Sequence, residues 1–70
     1  MTKERLSTLL NSFSCILDSK QKIEDIEKAL RDNGLSLDNL VTVFTYNRDK
    51  EVELSLMTKP NKDIHLYYKK

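Results

Sequence analysis

The chain reads as an α+β protein: two N-terminal helices, forming a helical hairpin, packed on a three-stranded antiparallel β-meander in the order ααβββ. Three observations predict this. Apolar residues recur every three or four positions up to Leu30. Beyond Leu40 the apolar rhythm falls to two. The only glycine, Gly34, stands between the two regimes, where a helix needs a left-handed stop.

The first helix is expected over residues 3–17. Leu6, Leu9, Leu10, Phe13, Ile16 and Leu17 fall on one stripe, and Thr2 is placed to cap it. Ser7, Thr8, Asn11, Ser12 and Ser14 on the other side are mediocre helix formers, so packing must hold this segment. Asp18 followed by Gln21 fits a capping box and opens a second helix over residues 20–33. Its inward positions are Ile23, Ile26, Ala29 and Leu30. Glu24–Lys28 and Glu27–Arg31 are spaced for i,i+4 pairing on the outward side. Asn33-Gly34 ends the helix as a Schellman stop, with Leu35 reaching back to Leu30. Ser36 restarts the chain as a cap, and one helical turn is expected over residues 37–39.

Strands follow over residues 41–46, 51–57 and 64–68. The first, Val41-Thr42-Val43-Phe44-Thr45-Tyr46, is β-branched and aromatic. The second sets Val52, Leu54 and Leu56 on one face and Glu51 and Glu53 on the other, so replacing Glu53 by alanine is expected to matter little. The third sets Ile64, Leu66 and Tyr68 on one face. The links are short, as in a meander: a polar turn at Asn47-Arg48-Asp49-Lys50 and a loop with Pro60-Asn61 at its centre. Strand one is apolar on both sides, with Phe44 and Tyr46 on one and Val41 and Val43 on the other. Either it is central and partly covered by a partner, or one of its faces is exposed.

Seventy residues make one domain, 1–70. A chain this short buries only ~60% of its unfolded surface and needs help from disulfides, metal or a second subunit. Cys15 is the only cysteine and cannot pair within the chain. Cys15 and His65 are the only soft metal ligands, where a structural zinc takes about four, so no metal is expected. A second subunit remains. The lone thiol suits a reducing compartment. No apolar run approaches the ~20 residues of a membrane span, and no signal core of ~7–15 apolar residues follows the N-terminus. The expected location is cytoplasmic, or the host cytoplasm for a viral chain, with no membrane partner.

Catalysis is not expected. One glycine excludes glycine-rich phosphate cradles and nucleophile elbows, so no cofactor is implied. Any histidine-dependent chemistry must use His65, which falls on the solvent side of strand three. Cys15 reads as a packing cysteine within the first helix. Little room remains for a walled pocket that would hold a small-molecule substrate.

Binding is the remaining class. Val41, Val43, Tyr46, Met57, Tyr67 and Tyr68 form the candidate protein interface, since tyrosine and methionine are enriched at contact surfaces. The expected function is a small protein-binding regulator of inhibitor or adaptor type, self-associating through the sheet as a homodimer. Small chains of this kind are associated with phages and mobile elements. The alternative is nucleic-acid binding through Arg48, Lys50, Lys59, Lys62, Lys69 and Lys70, with the strand tyrosines stacking on bases. Charge is nearly balanced, 12 basic against 11 acidic side chains, which gives no strong overall field.

The run Ala29-Leu30-Arg31-Asp32-Asn33-Gly34-Leu35-Ser36-Leu37-Asp38-Asn39-Leu40 resembles a phrase found in bacterial nucleoid-associated proteins of the H-NS type and in many helix-turn-helix repressors. It covers a dozen residues, and helix-capping physics accounts for them. The β segment that follows departs from a helix-turn-helix, so no DNA-reading residue is carried over.

Overall fold

Thr2 opens the first helix, α1 (Lys3–Asn11), by accepting the Arg5 N–H on its hydroxyl at 3.1 Å. The structure, a computed structural model, describes residues 1–14 and 18–70. The expected helix to residue 17 is corrected, because α1 ends at Asn11. Ser12 closes it: its N–H donates to the carbonyls of Thr8 and Leu9, and its hydroxyl to Leu9 at 2.6 Å. A serine that bonds back in this way competes with the next helical turn. Phe13 leaves the helix yet still packs against the core. Cys15, Ile16 and Leu17 lie outside the described residues.

The second helix, α2 (Ser19–Asp32), starts at Asp18. Asp18 takes a positive φ of 55°, which aspartate tolerates better than most residues, and its carboxylate accepts the Gln21 N–H at 3.2 Å. The Gln21 amide donates forward to Asp25 instead of completing a capping box. Glu27 is held by Lys3 of α1 at 3.7 Å. Both groups meet solvent, so this link between the helices is worth little.

The stop at Gly34 is a complete Schellman motif. The Leu35 N–H donates to the Leu30 carbonyl (2.8 Å) and the Gly34 N–H to that of Arg31 (2.9 Å). Gly34 has φ +73°, and an added Cβ would meet nothing within 4 Å. Glycine is therefore needed there for its backbone freedom alone. The single turn at Leu37–Asn39 is a 3-10 helix. Asn39 holds it by accepting the Ser36 N–H on its side-chain oxygen, 3.0 Å. Asn39 also grips the chain beyond the second strand: its amide donates to the Lys59 carbonyl and its own carbonyl accepts the Lys59 N–H.

Three antiparallel strands complete the order ααβββ: β1 (Leu40–Asn47), β2 (Glu51–Thr58) and β3 (Ile64–Lys69). The sheet order is β1-β2-β3, so β2 is central and strand one is an edge. One register irregularity changes its facing. Leu40 opposes Thr58 while Thr42 opposes Met57, leaving Val41 as the extra residue of a bulge. Beyond the bulge Val43 opposes Leu56 and points into the core, at 2% exposure. The expectation that Val41 and Val43 share a face is therefore corrected.

The helices cover one face only. Leu6, Leu10, Ile26 and Leu30 from α1 and α2 meet Leu40, Val43, Leu54, Leu56 and Ile64 in one cluster. Burial of a leucine-sized side chain contributes ~1.5–3 kcal/mol, so this cluster is the main source of stability. Among the described residues, no helix lies on the other face of the sheet.

Candidate functional site

Strand alternation and register define the open face. From β1 it receives Thr42, Phe44 and Tyr46, from β2 Glu51, Glu53, Ser55 and Met57, and from β3 His65, Tyr67 and Lys69. The bulge sets Val41 beside Thr42, opposite Met57. The exposed large hydrophobics among the described residues are Val41, Phe44, Tyr46, Met57 and Tyr67, each between 44% and 59% exposed. All five fall on this face. Four of them lie along β1 and the end of β2, and Tyr67 stands on the otherwise polar β3 side.

Four of the six expected interface residues thus lie together: Val41, Tyr46, Met57 and Tyr67. The other two do not join them. Val43 is core. Tyr68 faces the helices, and its hydroxyl donates to the Asp25 carboxylate at 2.7 Å. Lys22 of α2 lies 4.1 Å from the Tyr68 ring centroid. Burial, together with the bond to Asp25, pushes the Tyr68 phenol well above its ordinary pKa, so the ring stays a neutral donor. Phe44 joins the four, since its place two residues before Tyr46 sets it on that tyrosine's face.

Glu53 corrects a second expectation. It is not a solvated strand carboxylate but is only 5% exposed. Its direct cross-strand neighbours are Tyr46 and Tyr67, which flank it on both sides. Both carboxylate oxygens are occupied: Arg48 donates to Oε1 at 2.9 Å, and His65 Nδ1 stands 2.8 Å from Oε2. The second ring nitrogen of His65 faces Asp63 at 2.5 Å. These four side chains come from the β1–β2 turn, β2, the β2–β3 loop and β3. The His65 ring also stacks on Tyr67, with centroids 6.4 Å apart.

Both ring nitrogens of His65 thus face carboxylates, and its cross-strand neighbour is Ser55. Among the described residues no group of histidine, cysteine and carboxylates is arranged to hold a metal ion.

The six expected nucleic-acid contacts divide between opposite ends of the sheet. Arg48 and Lys50 in the β1–β2 turn meet Lys69 and Lys70 at the end of β3, where Glu51 opposes Lys69 and the Lys70 N–H donates to the Lys50 carbonyl. Lys59 and Lys62 lie at the other end, in the loop braced by Thr58. The Thr58 hydroxyl donates to the Pro60 carbonyl and accepts the Lys62 N–H. Arg48 is already engaged by Glu53.

Fold and face together define a two-layer α+β protein with one uncovered sheet surface. No family model matches the chain, no curated protein matches it, and no solved structure matches it. No helix among the described residues is long and apolar enough to cross a membrane.

Proposed function

We propose that this protein is a small non-enzymatic protein-binding regulator, of inhibitor or adaptor type, acting in the cytoplasm and self-associating as a homodimer through the open face of its sheet. The observation that carries this reading is the gathering of Val41, Phe44, Tyr46, Met57 and Tyr67 on one uncovered surface. Aromatic residues and methionine are the usual anchors of protein contacts.

The size of the face limits the strength of the contact. β1 and β2 have eight residues each. With the six residues of β3 counted as well, at ~3.3 Å per residue and ~4.8 Å between strands, the footprint is roughly 350 Å². A standard interface buries about 800 Å² per partner. Self-association is therefore expected to be weak and concentration-dependent.

Sedimentation at low and high micromolar concentration tests it. The expected result is a rise in mean mass with concentration, lost in the doubly substituted Phe44→Ser/Met57→Ser protein, whose altered side chains lie outside the core. A wild-type chain that stays monomeric over this range removes the homodimer.

Nucleic-acid binding is the second reading. It is favoured by the meeting of Arg48, Lys50, Lys69 and Lys70 at the end of the sheet nearest Tyr46 and Tyr67. Retardation of single-stranded DNA that fades with salt would support it. The split of the six cations and the engagement of Arg48 count against it.

A further inference from the structure

We propose that His65 is a proton-operated clasp: protonated, it ties the β2–β3 loop at Asp63 to the buried carboxylate of Glu53, and deprotonated, it lets Asp63 go. The clasp stands on its own geometry and does not depend on the binding role of the open face.

Carboxylates accept hydrogen bonds and do not donate them when ionised. The two ring nitrogens of His65 face Glu53 Oε2 at 2.8 Å and Asp63 Oδ1 at 2.5 Å. Only the imidazolium can donate to both at once. A neutral ring keeps one N–H, and its remaining lone pair then confronts an anion.

Exposure decides which bond is lost. The Glu53 side chain is 7% exposed and also holds Arg48, whereas that of Asp63 is 92% exposed. Asp63 is hydrated at little cost, and Glu53 is not. The single remaining N–H therefore stays with Glu53 and the Asp63 side chain is let go, while Asn39 and Thr58 still hold the backbone at Lys59 and Lys62.

The neighbouring charges favour the same behaviour. Arg48, Glu53, His65 and Asp63 sum to zero when the ring is charged and to one negative charge when it is not. Tyr67 stacks on the ring, Tyr46 flanks Glu53, and Glu51 with Lys69 lies one residue pair further along the same face. Among the described residues, the helices pack on the opposite face and bring no titrating group to this one.

Asp63 first, and then Glu53, raises the His65 pKa above its ordinary 6.5. Because the folded-state value is the higher one, the clasp's contribution to stability is complete below pH 6.5. It is lost as pH rises through the raised value. The open face gains its negative charge over the same interval.

NMR titration of the full chain tests this. The His65 ring is expected to titrate above 6.5, and the amides of residues 61–63 to shift with the same midpoint. Asp63→Asn, a change at an exposed side chain, should lower the ring midpoint toward 6.5 without unfolding the protein. His65→Gln should abolish the pH-dependent shifts of the loop amides. A wild-type midpoint at or below 6.5, an Asp63→Asn midpoint equal to that of wild type, or loop shifts that survive His65→Gln would each overturn the clasp.

Discussion

Leu54→Asp is expected to unfold the protein at neutral pH. Leu54 is fully buried on the central strand, between Thr45 of β1 and Leu66 of β3 and beneath the helices. A carboxylate placed there has no cation within the core cluster to pair with, since that cluster is wholly aliphatic. Losing the leucine contacts alone costs ~2–5 kcal/mol. Burying an unpaired charge adds several more, or forces the group to take up a proton. A core of this size supplies only ~3–5 kcal/mol in total, so the substitution exceeds what the fold has. Circular dichroism should show the loss of helix and strand signals together. A folded Leu54→Asp protein would mean that this face of β2 is not the covered one.

Glu53→Ala, one residue away on the opposite face, is expected to cost about 1–3 kcal/mol. Charge-assisted hydrogen bonds contribute ~1.5–3 kcal/mol each, and Glu53 accepts two. Relief of the carboxylate's own dehydration offsets part of that loss. The Arg48 side chain is 58% exposed and returns to water readily, and His65 keeps Asp63, so neither partner is left buried and unpaired. Urea unfolding should show a lower midpoint with an unchanged slope. A midpoint equal to that of wild type would show that the network adds nothing to stability.

These neighbouring residues also show where the sequence was readable. Leu54 is legible because its rhythm with Val52 and Leu56 is unbroken and its face is covered by helices. The face of Glu53 is legible and its environment is not. Alternation reports direction, and it does not report that two cross-strand tyrosines, an arginine and a histidine will close over a carboxylate. That closure depends on the pairing register, which brings Arg48, Asp63 and His65 together from three separate segments.

The facing of strand one is hidden in the sequence for a similar reason. A bulge inserts one residue between Leu40 and Thr42 and carries Val43 to the opposite side from Val41. Nothing in the run of β-branched residues marks which position is extra, and Pro and Gly, the usual signs of irregularity, are absent from it. The end of α2 was read fully, because a Schellman stop is local chemistry written in consecutive residues. The end of α1 was read too late. Its apolar period runs on through Phe13, whereas the Ser12 hydroxyl bonds back to Leu9 and closes the helix. On the site, Tyr46, Tyr67 and Met57 are legible as apolar residues in excess of the core, while Tyr68, whose face with Ile64 and Leu66 is legible, belongs to the core side and not to that excess. Its ring lies under Lys22, and its hydroxyl reaches a carboxylate 43 positions earlier in the chain.

The measurement that bears most directly on this account is a concentration series of amide NMR spectra, from low to high micromolar. Shifts should grow with concentration at Val41, Phe44, Tyr46, Met57 and Tyr67 and stay small on the outer surfaces of α1 and α2. Spectra that do not change, or changes that gather on the helices, would contradict the assignment of the uncovered sheet as the contact surface.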